Sequence, residues 1–548
     1  MVLSLAKLSV YSVWELNYMM SGVCESFRFE DRRVCSGMAD LFAEQLYYIL
    51  RHTKLAKQEM CAQLIGAQCL PDICVYDKKN KWTVSFDNKF ILNTTTTVHN
   101  TNNNIVNNTI SDYNNIVVDS STSDDGSTDD NKTYKILHLS DLHIDPFYSY
   151  NSSSACGEPL CCRTTSAQGK GSAGYWGDYN NCDSPKYTIE MLMTYLNKTM
   201  ANDFQYIIWT GDIVAHDVWN TTRDIIINGS RSLTQLINQH IANGKLVFPV
   251  VGNHEGLPVN QFAPPEIEGK LSIKWLYNEL LNQWSQWIPW DYHQTFATYG
   301  CYAKNVSDYL RIIVLNTNYC SRLNFWLMYD LDDPGAQLKW LAAELFKASQ
   351  LGQRVHIIGH IPPDNTQCTS HWVYNYLRIV HKYNQTIVGQ FFGHTHFDEF
   401  RLQYSPENKS QPIGVAYLTP SVTTYMGVNP AFRFYTIDTQ GNVLDHQNYY
   451  LNLTDANHHI QPSQQQQLQQ QWINEYSAKK SYNMTTLSPE NWNLLYEKLL
   501  VKSGDNRLFD RYYNHYHRYS DWFAKNSSID FRQQLLNAIP IVSPITCN

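Results

Sequence analysis

Five short apolar runs in this sequence each end on residues that bind metals. "LSDLH" supplies Asp141 and His143, and "WTGDIVAHD" supplies Asp212, with His216 and Asp217 just beyond. "VVGNHE" adds Asn253 and His254, "IIGHIPP" adds His360, and "FFGHTH" adds His394 and His396. Mixed carboxylate and imidazole donors suit zinc, manganese or iron, and one carboxylate can bridge two cations about 3.5 to 4 Å apart. Such a pair lowers the pKa of a water between them, neutralises phosphate oxygens and holds the attack in line with the leaving group. That chemistry is phosphoester hydrolysis. Each motif alone carries little weight, since a lone Asp-x-His is more often a turn than a ligand. The argument rests on five of them in this order. Gly211, Gly252, Gly359 and Gly393 sit beside the donors, where a tight turn or a close backbone approach is needed.

Donors at strand ends require strands to hold them. From "YKILHLS" at 134 onward, strand-like runs ("FQYIIWT", "KLVFPVV", "LRIIVLN", "RVHIIGH", "TIVGQFF") alternate with the helical periods "KWLYNELLNQW" and "QLKWLAAELF". The alternation predicts an α/β domain with a largely buried central sheet. In such sheets ligands collect where loops leave the carboxyl ends of strands. "VAYLTP" and "FRFYTID" follow without long helices, so part of a sheet is expected to be antiparallel. A Gln-rich stretch at 461–471 leads to an aromatic-rich, helical tail.

Composition narrows the class. The chain has 548 residues, 43% hydrophobic and 17% charged, with net charge −8. This describes a globular protein with room for a large catalytic domain and flanking modules, and gives no footprint for nucleic acid. Thirteen cysteines in no zinc-finger spacing read mainly as disulfides. Asn-x-Ser/Thr sites recur along the chain, from Asn93 to Asn526, and agree with a secretory route. The N-terminus fits that route poorly, because Lys7 interrupts its apolar run and no small-residue cleavage site is clear. No run is long enough to span a bilayer. Residues 36–70 read as helical, with Leu41, Phe42, Leu46, Ile49 and Leu50 on one face. Residues 92–132 are Asn, Thr, Asp and Ser with few large apolar groups, which reads as a linker.

The ordered donor set resembles the calcineurin-like metallophosphoesterases. The strings "GYWGDY", "TGDIVAHDVW", "VVGNHEGLPVNQF", "EIEGK", "CSRLNFWL", "HIIGHIPP", "FFGHTHFDEF" and "SVTTYMGVNP" narrow the resemblance to acid sphingomyelinases over roughly residues 134–455. The resemblance implies a metallophosphoesterase fold, a central β-sandwich flanked by helices. It also implies two zinc ions (Zn2+): Asp141, His143, Asp212 and His396 on one, and Asp212, Asn253, His360 and His394 on the other. His216 and His254 would lie beside the phosphate, stabilising the transition state and delivering a proton to the leaving alkoxide, or else would support the metals from behind. Tyr425 and the aromatic cluster around Trp326 are candidates to face a quaternary ammonium head group, with core packing the plainer alternative. The implied disulfides are Cys156–Cys161, Cys162–Cys182 and Cys320–Cys368.

At the N-terminus, Cys24, Cys35, Cys61 and Cys69 resemble the last four of six saposin cysteines, which pairs Cys24 with Cys35. The first two are absent, so the expected module is incomplete, with the segment carrying them and a signal peptide missing. Cys69 could then pair with Cys74, while Cys61, Cys301 and Cys547 have no assigned partner. The expected organisation is a saposin B-type domain at 20–75, a linker at 76–133, a catalytic domain at 134–455 and a helical C-terminal region at 456–548. The expected activity is hydrolysis of sphingomyelin to ceramide and phosphocholine by a secreted or lysosomal enzyme that meets membranes peripherally and is by default a monomer. Because its lipid module is incomplete, it should prefer dispersed substrate to bilayers. The alternatives are a relative acting on nucleotides or other soluble phosphoesters, and a non-catalytic lipid-binding protein.

Overall fold

A computed structural model describes residues 12–56, 58–60, 82–86, 132–459, 472–501, 506–526 and 531–542. Its strands are β1 (Thr133–Leu139), β2 (Ile144–Asp145), β3 (Ser184–Pro185), β4 (Tyr206–Trp209), β5 (Leu246–Pro249), β6 (Tyr302–Asn305), β7 (Leu310–Val314), β8 (Arg354–Ile358), β9 (Ile387–Phe392), β10 (Glu399–Tyr404), β11 (Pro412–Leu418), β12 (Ala431–Asp438), β13 (Val443–Leu451), β14 (Trp472–Ser477) and β15 (Pro540–Ile541). One sheet runs β14-β13-β12-β1-β4-β5 and the other β15-β10-β11-β9-β8-β7-β6. In both, the strands feeding the donor loops are parallel: β1 with β4 and β5, and β7 with β8 and β9. Antiparallel neighbours extend each sheet, β12 and β13 beside β1 and β10 beside β11.

Register explains why distant motifs meet. Leu139 lies opposite Trp209, and Trp209 opposite Pro249, so the loops after β1, β4 and β5 leave at one level. Ile358 lies opposite Phe391, which does the same for the loops after β8 and β9. The two sheets face each other through aromatic contacts. Phe391 meets Tyr435 at 4.6 Å between centroids, and the Tyr206 hydroxyl lies 3.2 Å from His356 Nδ1. These strands are buried on both faces, which is why they read as continuous apolar runs. Trp284 of the helix Lys274–Trp284 packs on Trp209, and Tyr195 of the helix Lys186–Met200 packs on Phe432. The helices Gln337–Gln350 and Ser370–Lys382 flank the seven-stranded sheet.

Two N-terminal helices, α1 (Val13–Ser26) and α2 (Arg32–His52), are joined by the Cys24–Cys35 disulfide. Ser12 and Glu15 form a reciprocal capping box on α1, and Asp31 caps α2. The expected apolar face of α2 is seated on the catalytic region: Phe42 packs on Phe325, and Trp326 Nε1 donates to Gln45 Oε1 at 2.8 Å. At Gly37 the backbone of Trp219 comes so close that a Cβ would lie 2.4 Å from its carbonyl oxygen. Within the span expected to be helical, α2 ends at His52, where Thr53 turns extended and its hydroxyl donates to Met328 O; residues 58–60 are again helical, and residues 61–70 lie outside the described residues. Cys61, Cys69, Cys74 and Cys547 lie outside the described residues, and Cys301 is a buried free thiol.

Part of the expected linker is held in place. Asn375 accepts the Val84 N–H at 2.9 Å and donates to Trp82 O at 2.9 Å, and residues 87–131 lie outside the described residues. The C-terminal region has the expected helices, Pro489–Leu500, Arg507–Tyr516 and Phe531–Ala538 among them, and it also lends an edge strand to each sheet, β14 and β15. The Gln-rich stretch is outside the described residues. No described helix is long and apolar enough to cross a membrane.

Candidate active site

The structure brings Asp141, His143, Asp212, Asn253, His360, His394 and His396 together at the strand ends, all but His394 deeply buried. His360 Nε2 stands 3.1 Å from Asp212 Oδ2 and 2.8 Å from Asn253 Oδ1, and His394 Nδ1 stands 2.9 Å from the same Asn253 oxygen. On the other side His143 Nε2 lies 3.5 Å from Asp212 Oδ2 and 3.3 Å from His396 Nε2, which is 3.7 Å from Asp141 Oδ1. Asp212 is common to both groups.

Hydrogen bonds behind the imidazoles fix what they present. His143 Nδ1 faces Val214 O at 2.8 Å, His360 Nδ1 faces Thr210 O at 2.6 Å, and His396 Nδ1 faces Tyr425 O at 3.4 Å. Each of these nitrogens must carry its proton to pair with a carbonyl, so each Nε2 turns a bare lone pair inward. His143 and His396 therefore aim lone pairs at each other, and His360 aims one at two oxygens. Acceptors converging on acceptors in a buried space are unfavourable unless a cation lies among them. The residues present fit metal ions. Burial opposes protonation of His143 and His360, but Asp212 outweighs it and pushes each up to about 9. Burial drives His394 down to about 3 and His396 well below the ordinary histidine range. Burial would likewise raise Asp212, yet the facing His360 and His254 hold it well below an ordinary carboxylate.

The loops pay for this convergence in backbone strain. Asp141, His143, Asp212, His394 and His396 all have positive φ, between 37° and 75°, a conformation costing on the order of 1–3 kcal/mol at each non-glycine residue. Two glycines make the crowding possible. A Cβ on Gly252 would lie 2.2 Å from Asp212 Oδ1, and one on Gly393 1.9 Å from Ser140 Oγ.

His216 and His254 stand at the edge of the cluster. His143, His216 and His396 offer nitrogens within 4.8 Å of one another, as do His143, His254 and an Asp212 oxygen. His216 is held from behind by buried Asp183, whose carboxylate accepts both the backbone N–H at 2.7 Å and Nδ1–H at 2.9 Å. Burial would raise Asp183, but His216 outweighs it and holds the carboxyl at about 2. The His254 N–H donates to Asp212 Oδ1 at 3.0 Å, while its buried Nδ1 has no hydrogen-bond partner. Tyr425 stacks flat on His216 at 3.8 Å, its hydroxyl donating to Pro159 O. Trp326 is elsewhere: it is buried under α2, because a large apolar ring with one N–H found a partner in Gln45, so it does not face the site. Asp217 also stays outside the cluster, in a buried ion pair with Arg163.

Sequence reasoning missed several supporting residues. Besides Asp183, Glu255 accepts the N–H groups of Gly252, Asp212 and Ile213 at 2.6, 3.1 and 2.8 Å, tying two donor loops together, and Gln367 meets His394 Nε2 at 3.2 Å. Asp183 did carry a signal, since it follows Cys182 directly. The structure has disulfides at Cys156–Cys161, Cys162–Cys182 and Cys320–Cys368, and Cys162–Cys182 pins the segment that delivers Asp183.

Mixed donors at the carboxyl ends of two facing sheets, sharing one carboxylate, define a metal-dependent phosphoesterase site. The chain matches the calcineurin-like phosphoesterase family over residues 134–398 and the acid sphingomyelin phosphodiesterase C-terminal region over 411–524. It is 38% identical to a human protein named sphingomyelin phosphodiesterase, over 90% of this chain and 73% of that one. It is 31% identical to sphingomyelin phosphodiesterase B of Dictyostelium discoideum, over 91% and 72%. Human acid sphingomyelinase-like phosphodiesterase 3b is 31% identical over 69% of this chain and 82% of its own length. The chain belongs to the acid sphingomyelinase family within the calcineurin-like phosphoesterases, and is a hydrolase of that class.

Proposed function

We propose that this enzyme cleaves sphingomyelin to ceramide and phosphocholine with two zinc ions. The observation that carries the reading is the complete donor set around Asp212, in a chain that aligns with sphingomyelin phosphodiesterases over nine-tenths of its length. Asp141, His143 and His396 would hold one cation and Asn253, His360 and His394 the other, with Asp212 between. Bound there, the pair supplies an activated water and charge neutralisation for the phosphodiester. The chain's own residues do the rest. Asp183 keeps the proton of His216 on Nδ1 and so directs Nε2 at the site, and His254 is anchored on Asp212 through its N–H. Protonated to imidazoliums, these two rings would be suited to steady the phosphoryl oxygens and to pass a proton to the departing ceramide alkoxide, each ring that does so being left neutral.

The α1–α2 pair is read as part of a saposin-type module. It exposes Trp14, Tyr18, Phe27 and Phe29, and four such rings suit a peripheral membrane contact. The disulfides and the spread of glycosylation sites support a secreted or lysosomal glycoprotein. The test is release of phosphocholine from sphingomyelin by the purified chain, beside hydrolysis of a nucleoside triphosphate, each with added zinc and with chelator. Zinc-dependent turnover of sphingomyelin is expected. Zinc-dependent turnover of the nucleotide alone would place the enzyme with the sphingomyelinase-like phosphodiesterases, and no turnover of either would leave a binding protein.

A further inference from the structure

His396 reaches the cluster from a strained backbone, φ 68°, and its side chain has only a 3.4 Å bond behind it. Its carbonyl is what the surroundings grip. That oxygen accepts the Ser421 N–H at 3.2 Å and a guanidinium N–H from Arg518, which lies 122 residues further along the chain in the turn after the helix Arg507–Tyr516. Arg518 is fully buried and donates again to Ser421 Oγ at 3.3 Å, and its own carbonyl accepts from Asn429 Nδ2 at 2.9 Å. Glu475 on β14, Asp398, Tyr516 and the donor Asp141 are the charged or titratable groups around it. A buried cation costs several kcal/mol of desolvation unless it is well paired. Here Glu475 pairs with His515 at 3.4 Å and makes no hydrogen bond to the guanidinium, whose Nε has no partner, so charge compensation is not the geometry's main product. What the guanidinium does best is clamp the backbone of His396 and the Ser421 loop together. His360 and His394 are held instead by other strand-end loops, His360 Nδ1 by Thr210 O at 2.6 Å and the His394 N–H by the Asp141 carboxylate at 3.0 Å.

We infer that Arg518 is a positioning residue for the half of the metal site formed by Asp141, His143 and His396, so that the C-terminal region governs how tightly one of the two cations is held. The inference rests on the two-metal reading above. Its test is metal content per chain and the rate of metal release to a chelator, for wild type, Arg518→Met, Arg518→Lys and Arg311→Met. Arg311→Met is the control for losing a half-buried, ion-paired arginine away from the donor loops, because Arg311 stands near the start of β7 and pairs with Glu344 and Tyr292. Wild type should hold two metals, and fewer would defeat the two-metal reading itself rather than the role of Arg518. Arg518→Met should hold about one, releasing the other on the order of 10- to 100-fold faster. Arg518→Lys, which keeps a charged donor but not the fork that reaches both oxygens, should release one equivalent at a rate between wild type and Arg518→Met, and Arg311→Met should match wild type. Two metals with wild-type release in Arg518→Met would overturn the inference, as would equal loss in Arg311→Met. If Arg518→Met does not fold, Arg518→Lys decides: faster release of one equivalent only supports the inference, and unchanged release of both refutes it.

Discussion

The two halves of the proposed metal site have similar side chains but different foundations. Asn253, His360 and His394 are supported by neighbouring strand ends. His360 Nδ1 meets Thr210 O, the Gly393 N–H donates to His360 O at 3.0 Å, and the Ile361 N–H donates to Thr317 Oγ1 at 2.8 Å. Asp141, His143 and His396 lean on chain that comes much later. The Thr423 N–H donates to Asp141 O at 3.0 Å, the Val422 N–H to Ser140 O at 3.0 Å, and Tyr425 and Arg518 hold His396. The difference teaches that a motif can name a donor without naming what holds it. One half is complete once the two sheets pair, and the other needs the C-terminal region in place.

Substitutions can separate the halves. Asp212→Asn strikes both, since it removes the shared charge, and should abolish turnover and reduce metal to one per chain or fewer while the fold survives, as checked by metal analysis and circular dichroism. His254→Ala should leave both metals bound yet cost about 10²- to 10⁴-fold with an alkoxide leaving group, and less with a nitrophenyl-type one. Equal losses on the two substrates would instead assign His254 to metal positioning. Asp183→Asn should cost about 10- to 100-fold by releasing His216 from its orientation, with a displaced pH profile and unchanged metal content. Loss of metal in that variant would make His216 part of the metal half beside it. The smallest effect is expected at Gly37→Ala, where a methyl against Trp219 O should cost on the order of 1–3 kcal/mol by overpacking. It should lower Tm and slow attack on vesicles while sparing metal content and turnover of dispersed substrate.

The residues that the structure gathers at the strand ends were legible because each ends an apolar run, and short buried strands announce themselves as Val, Ile and Phe clusters. The helical period at Lys274–Trp284 was legible for the same reason, its apolar residues recurring on one face. Glu255, Gln367 and Arg518 were not legible, because nothing local distinguishes a polar or charged side chain that will be buried from one that will be solvated. Their meaning comes only from the sheet register and the loops it brings together. Trp326 misled in the opposite way. An aromatic cluster signals burial but not what is buried against it, and here the partner is α2 rather than a ligand.

Anomalous diffraction from crystals of the zinc-loaded enzyme tests the central claim most directly. Two peaks about 3.5 to 4 Å apart are predicted, one ringed by Asp141, His143 and His396, the other by Asn253, His360 and His394, with Asp212 touching both. A single peak, or two peaks that do not share Asp212, would contradict the account.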